Sequence, residues 1–207
     1  MKKVFFSVGL SMDGFMAGPN GSPTNPMGGR SMEIHKWVFL QKSFREQLEL
    51  GEGGETGKDN DIINEINARI GANILDKRMF DEGEVSWPEN APFHTPVFVL
   101  TKQPREPWER KGGTTFYFIN DGIKSALEKA RKVAGNKDIR ISGGANVIQQ
   151  YLNAGLIDEF IIHYAPVLLG GGVRLFKNLD LQKFTFEIMD VVHSPLVTHL
   201  SYRVNNK

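Results

Sequence analysis

Apolar residues along this chain form two kinds of stretch, short unbroken runs and stripes at helical spacing, and the two alternate. Residues 3–10 (KVFFSVGL), 72–75 (ANIL), 97–101 (VFVLT), 114–119 (TTFYFI) and 138–142 (DIRIS) read as strands. Between residues 32 and 50, Ile34, Trp37, Val38, Leu40, Phe44, Leu48 and Leu50 follow a mostly helical spacing. Residues 61–71 predict a short amphipathic helix on Ile62, Ile63, Ile66 and Ile70, with Gly71 placed as its C-cap. Asp121 stands where it would cap a helix running to about Ala134, with Lys124–Glu128 and Glu128–Lys132 as exposed pairs. A further helix is expected over 145–155, stopping at Gly155. Residues 157–170 are apolar on both faces and predict one long central strand. Residues 184–194 and 196–204 then predict an antiparallel hairpin turned at Ser194–Pro195. The Gly/Pro-rich 13–30, the charged, glycine-rich 51–61, the polar 77–84 and the proline-marked 86–96 read as connecting segments. The sum is an α/β chain whose mixed, mostly parallel sheet of about eight strands is flanked by helices.

A chain of 207 residues suits one sizeable domain spanning 1–207. A hydrophobic share of 40% and a charged share of 24% are ordinary for a soluble globular protein. The formal net charge is +1, and no basic stripe of the kind that duplex nucleic acid requires is visible, so no nucleic-acid partner is expected. The absence of cysteine removes disulfides, thiolate nucleophiles and Cys-ligated zinc, and suits a reducing cytosol. The start, MKKVFFSVGLSMDGF, superficially imitates a leader. Ser7, Gly9 and Ser11 interrupt its apolar run, and a buried first strand is the expectation instead. No segment approaches the ~20 apolar residues of a membrane span, so cytoplasmic localisation without a membrane partner is expected.

Few motifs survive inspection. GEGGETGKD imitates a P-loop, but Glu52 stands where the first glycine belongs and Asp59 where Ser or Thr belongs, beside incoming phosphate. Of the five histidines, His193 and His199 flank the final turn and can approach across it, yet no acidic or Cys ligand is evident beside them. They read as surface or packing residues, and no metal site is expected. Asn20-Gly21-Ser22 fits a glycosylation sequon, but a cytosolic chain would not meet that machinery. Gly143-Gly144 remains, at the handover from a strand to a helix. Glycines there let a pyrophosphate reach the helix's first amides. They also serve close helix–sheet packing, or a turn with positive φ. On the dipeptide alone these readings stay open.

Four segments taken in order carry a resemblance. SMDGFMAGPNG (11–21), FVLTK (98–102), ISGGANVIQQYLNAGLIDE (141–159) and PVLLGGGVRLF (166–176) resemble the bacterial dihydrofolate-reductase-like proteins. These are similar to the C-terminal reductase domain of the riboflavin-biosynthesis deaminase/reductase. The resemblance spans nearly the whole chain and implies a three-layer fold with NADPH as hydride donor. It puts Gly143, Gly144, Ala145 and Asn146 under the cofactor pyrophosphate, and Thr101 and Lys102 at the adenosine ribose and its 2′-phosphate. Residues 74–80 match a turn that in the family reads Gly-Arg-Arg and faces the cofactor phosphates. Here Asp76 replaces the glycine and Lys77 the first arginine, followed by Arg78. A carboxylate beside a pyrophosphate is unfavourable unless Lys77 or Arg78 offsets it.

On the substrate side, the resemblance places Ser11, Asp13 and Gly14 in the loop over the nicotinamide, with Met16 and Ala17 against the ring. Asp13 reads equally as a turn-former and as a catalytic acid. Gly171, within the Gly-Gly-Gly at 170–172, borders the nicotinamide–substrate cleft, and a bulge is its alternative. Glu33 sits at irregular spacing and takes no assigned role. The expected activity is reduction of a small heterocyclic or ribosyl substrate, of the 5-amino-6-(5-phosphoribosylamino)uracil reductase type. Its rivals are reduction of dihydrofolate or another pterin, a nucleotide-binding relic without turnover, and a dimerisation module. A small-molecule substrate and a homodimer are the expected partners. No zinc deaminase signature is present.

Overall fold

In a computed structural model, the described residues are 2–22 and 24–207. Met1, in the leader-like run, and Pro23, in the first long loop, lie outside them. The chain runs β1 (Val4–Ser11), β2 (Phe15–Ala17), a 3-10 turn (Ser31–His35), α1 (Lys36–Leu40), α2 (Lys42–Gln47), α3 (Lys58–Arg69), β3 (Ile70–Asp76) and α4 (Lys77–Glu84). It continues through β4 (Pro96–Leu100), β5 (Trp108–Glu109), β6 (Thr115–Ile119), α5 (Ile123–Val133), β7 (Asp138–Gly143), α6 (Ala145–Asn153) and β8 (Glu159–Ala165). It closes with β9 (Val173–Arg174), β10 (Phe184–His193) and β11 (Thr198–Asn206). Nine strands pair in the order β10-β11-β8-β1-β7-β3-β4-β6-β5, while β2 and β9 form a small separate ribbon. All pairs from β8 to β6 are parallel, and the two edges are antiparallel. The eight expected strands are all present, and the ninth is the two-residue edge strand Trp108–Glu109.

β1 is central because its sequence lets both faces be covered. All eight of its residues are buried. Val4, Phe6, Val8 and Leu10 join the main core with Ala126, Leu127 and Ala130 of α5 and Ile148, Tyr151 and Leu152 of α6. On the opposite face, Phe5 packs with Ile66 of α3. Helices α1–α4 therefore cover one face and α5–α6 the other, which is the three-layer arrangement. No helix among the described residues is long and apolar enough to cross a membrane.

Five local expectations are corrected. The 32–50 stripe is not one helix: Gln41 is extended, because the chain there pairs with Glu55 through Lys42 N–H to Glu55 O and Glu55 N–H to Leu40 O. Gly71 is not a helix cap but lies inside β3, where a side chain would meet the Ala134 carbonyl at 2.4 Å. Residues 77–84 form α4, seated by buried Phe80 and capped by Asp76, whose carboxylate accepts Met79 N–H at 2.8 Å. Gly122 rather than Asp121 occupies the cap of α5, and Asp121 pairs with Lys129 at 3.2 Å in place of the expected exposed pairs. The strand expected over 157–170 stops at Ala165, before Pro166.

Candidate functional site

The parallel core brings the carboxyl ends of β8, β1, β7, β3 and β4 to one edge of the sheet, in that order. Along it lie Ala165, Ser11, Gly143, Asp76 and, one residue past β4, Thr101. With about 4.8 Å between neighbouring strands, Ser11 and Thr101 stand roughly 14 Å apart across the edge. In sheets of this kind the carboxyl edge, where successive strands leave to opposite sides, is where ligands bind. Every residue that the resemblance assigns to cofactor or substrate sits on this edge or in a segment leaving it.

At the β1 end, a network joins two loops. Buried Ser11 donates its hydroxyl to Asp13 Oδ1 at 2.6 Å and accepts Phe15 N–H at 3.0 Å. Asp13 also accepts Leu169 N–H (3.1 Å) and Gly170 N–H (2.7 Å), fastening the 11–17 segment to the glycine-rich loop after β8. Gly14 turns the chain with φ +82, its N–H donating to Ser11 O. Met16 and Ala17 lie in β2, which pairs with β9, and Met16 packs on the main core. Arg174 of β9 donates to Asp13 O at 3.2 Å and stacks over Phe15 at 4.2 Å. Gly172 must be glycine: φ is +125, and a Cβ would lie 2.0 Å from the Ala17 carbonyl. Gly171 faces open space.

The Ser11 hydroxyl, aided by the Gly170 and Leu169 amides and against a partial desolvation, holds the Asp13 carboxyl down to about 2. Asp13 is therefore ionised at neutral pH and accepts bonds on both oxygens, which suits a latch and not a proton donor. The sign is that of a depressed carboxylate: the latch is fully present above the ordinary value near 3.8 and lost as pH falls through about 2. Asp13→Asn turns one acceptor into a donor facing an amide. We expect modestly faster amide exchange across residues 166–172, with no new titration between pH 5 and 9 in cofactor affinity; unchanged exchange removes the latch.

At the β7 end, Gly143 (φ +145) and Gly144 are joined by a cis peptide and open α6. Gly144 is the N-cap residue and supplies no side-chain cap; Ala145 is buried and Asn146 is exposed, its Oδ1 accepting from Gln150. A Cβ on Gly143 would lie 3.2 Å from Met79 Sδ, and one on Gly144 only 2.8 Å from Asp76 Oδ2. A side chain at Gly144 would thus have to displace the Asp76 carboxylate, which caps α4, irrespective of any ligand. The Asp76 carboxylate stands beside the helix start where an anion would be drawn.

The expected compensating cations are engaged elsewhere. Lys77 pairs with Asp81, and Arg78 with Glu82 at 2.7 Å. Arg78 also reaches Pro26 O at 3.4 Å, touching the loop that follows β2. On β4's side, the Thr101 hydroxyl accepts Gln103 N–H at 3.0 Å and keeps its own hydrogen to donate, while Lys102 is exposed.

His193 and His199 do not meet across the hairpin, because the register pairs His193 with Thr198 and puts His199 beside Val192. His199 instead meets His163 and Asp59, a buried arrangement that the sequence reading did not find. Its signal, a histidine in each of two adjacent strands at paired positions, becomes visible only once β8 and β11 are known to pair. Arg174, within PVLLGGGVRLF, has no signal of its own in the sequence; its role at Asp13 and Phe15 follows from the pairing of β9 with β2.

A family profile described as the RibD C-terminal domain matches residues 2–200. Protein YyaP of Bacillus subtilis (strain 168) is 48% identical over 85 residues, 37% of this chain and 45% of YyaP. The chain thus covers less than half the length of that curated relative. Among solved structures, a protein from Shewanella sp. PV-4 described as one of riboflavin biosynthesis aligns over 99% of both chains at 19% identity, with a TM-score of 0.68. The dihydrofolate reductase of Enterococcus faecalis, solved with NADP(H) and RAB-propyl, aligns over 99% of this chain and 97% of its own at 13% identity and a TM-score of 0.56. At such identities the likeness is one of fold.

Proposed function

This chain belongs to the RibD C-terminal domain family, and from that premise we propose that it is an NADPH-dependent reductase of the riboflavin-pathway type. The substrate is a small heterocycle carrying a ribosyl chain, of the 5-amino-6-(5-phosphoribosylamino)uracil kind. Bound NADPH supplies a hydride from nicotinamide C4. The observation that carries the reading is the order of groups along the carboxyl edge: the β2–β9 ribbon at β1, the Gly143–Gly144 helix start at β7, and Thr101 and Lys102 beyond β4. The pattern of amides, hydroxyl and ammonium fits pyrophosphate and 2′-phosphate oxygens.

In this reading Gly143, Gly144, Ala145 and Asn146 hold the pyrophosphate on backbone amides, while Thr101 and Lys102 select the 2′-phosphate. Met16, Ala17 and Gly171 shape the nicotinamide end. Ser11, Asp13 and Gly14 fix the loop that positions the ring and excludes water. Asp13, ionised, leaves protonation of the product to solvent or to the substrate's own groups. A second reading, a nucleotide binder without turnover, is favoured by the Asp76 carboxylate beside Gly144.

Titration of purified protein with NADPH, with NADH as control, is expected to give a micromolar Kd and a clear preference for NADPH. Absence of NADPH binding would sink the reductase reading, whichever the acceptor. Where it binds, consumption of NADPH with the ribosylaminopyrimidine phosphate, and not with dihydrofolate, supports the riboflavin-type assignment. Consumption with neither supports the binder.

A further inference from the structure

At one edge of the sheet, β8, β11 and β10 have two faces of opposite character, and the strand register sorts residues between them. Pairing sets Ile188 beside Tyr202 and Phe160, and Val191 beside Leu200 and Ile162. Phe186 beside Val204, and Thr198 beside Tyr164, belong to the same face. Every Asp, Glu, Lys and Arg of these strands falls on the opposite face: Glu187 beside Arg203, Arg203 beside Glu159, and Asp190 beside Ser201. There Arg203 bonds Glu187 at 3.0 Å. The apolar face is the one that α5 and α6 cover over the centre of the sheet, but neither helix extends over β10. Phe176, in the segment after β9, borders it, with its ring 6.0 Å from both Phe160 and Phe186.

Phe176, Phe186, Ile188 and Val191 are 41, 39, 61 and 54% exposed, and Tyr164, Leu200 and Tyr202 are partly so. With roughly 150–250 Å² on a whole aromatic side chain, and somewhat less on an aliphatic one, the face leaves on the order of 500 Å² of apolar surface uncovered. That is near the upper end of what a monomer carries in one patch. A stable interface takes about 800 Å² from each partner, and about 60% of it is apolar, which comes to the same ~500 Å². The face thus matches one side of a complete interface in extent and in composition.

We propose that this face joins two copies of the chain, stacked sheet on sheet across a two-fold axis near Ile188 and Tyr202. A two-fold interface has to be complementary to itself. A flat, uncharged face meets that condition, because its apolar rows interdigitate between sheets about 10 Å apart and no like charges oppose. Joining the free β10 edges does not meet it. A two-fold at the centre of that strand sets Glu187 against Asp190, and the bulge at Met189 interrupts the ladder. An anionic lipid surface or a nucleic acid is not matched either, since none of the three strands puts Lys or Arg on this face. The row nearest the carboxyl edge ends at Tyr164, directly before Ala165 and the 166–172 loop. The second copy therefore lies beside the segment that Asp13 fastens.

The test uses the whole chain without ligand. Sedimentation velocity up to about 100 μM should end in a single species of twice the 23.2 kDa chain mass. Ile188→Lys sets an ammonium at the centre of the face and should weaken the dimer roughly a hundred-fold or more. Thr185→Lys, exposed on the charged face of the same strand, should leave it unchanged. Far-ultraviolet circular dichroism checks that both variants are folded. A wild type that stays monomeric, a species larger than a dimer, a dimer indifferent to Ile188→Lys, or one lost in Thr185→Lys would each overturn the interface. Should Ile188→Lys fail to fold, hydroxyl-radical labelling of the wild type decides, compared below and above its dissociation midpoint. Phe186 and Tyr202 should be protected in the dimer, and equal labelling in the two states overturns the proposal.

Discussion

Replacing Phe80 by alanine is expected to lower the free energy of unfolding by about 3–5 kcal/mol. The ring is fully buried and meets four others edge-on: Phe118 at 5.1 Å, Phe116 at 5.2 Å, Trp108 at 6.0 Å and Trp87 at 6.2 Å. Arg105 lies over it at 5.3 Å. Truncation removes the transfer energy of a whole aromatic ring and leaves a cavity walled by rigid rings, which relax poorly. The consequence is also local. α4 is eight residues long and too short to persist unaided, and Phe80 is its main anchor on β3, β4 and β6. The same helix start carries Asp76, which stands against Gly144, so the loss should also be felt at the start of α6. Urea denaturation followed by Trp87 and Trp108 fluorescence measures it; a shift in midpoint with unchanged slope is expected. A loss below 1 kcal/mol would mean that α4 is not seated as described. Phe80→Leu, which keeps most of the volume, should lose far less.

That α4 went unrecognised in the sequence shows where pattern reading runs out. KRMFDEGE offers two apolar residues in eight, and a polar helix held by one deep anchor looks the same as a loop. Gly71 misled for a related reason: a glycine after an amphipathic stripe is the usual helix stop, but here it clears the Ala134 carbonyl contributed by a helix sixty residues on. The parallel strands were legible because burial on both faces leaves apolar runs such as VFF and VFVL.

The candidate site was legible by resemblance and by position at strand ends, since Gly143, Thr101 and Ser11 each mark a strand's carboxyl terminus. What ties those ends together was not. Asp13 accepting from Leu169 and Gly170 spans more than 150 residues, as does Ser7 with His163. Polar partners so far apart leave no periodic trace. They become inferable only after the order β8-β1-β7 is known.

Replacing Asp76 by asparagine is expected to tighten NADPH binding about ten-fold, the reverse of the usual outcome at a site residue. Asp76 has two roles at once. It caps α4 through Met79 N–H, and its other oxygen stands against Gly144 at the start of α6. Asparagine caps about as well as aspartate, so the first role survives. The second is electrostatic. A full charge about 5 Å from a phosphate repels it by about 1 kcal/mol in bulk water and about 3 kcal/mol at an effective dielectric near 20. Lys77 and Arg78 do not cancel it, being paired with Asp81 and Glu82. Removing the charge should therefore lower Kd by about one power of ten at low salt, and by less at 0.5 M, where screening already softens the repulsion. Asp76→Ala should gain similarly in affinity but lose about 1 kcal/mol of stability with the cap. Equal Kd values for wild type and both variants would place the pyrophosphate away from Gly144. Weaker binding by the asparagine variant alone would mean that the carboxylate itself contacts the nucleotide, through a hydroxyl or amino donor, and the phosphate cradle would have to be moved.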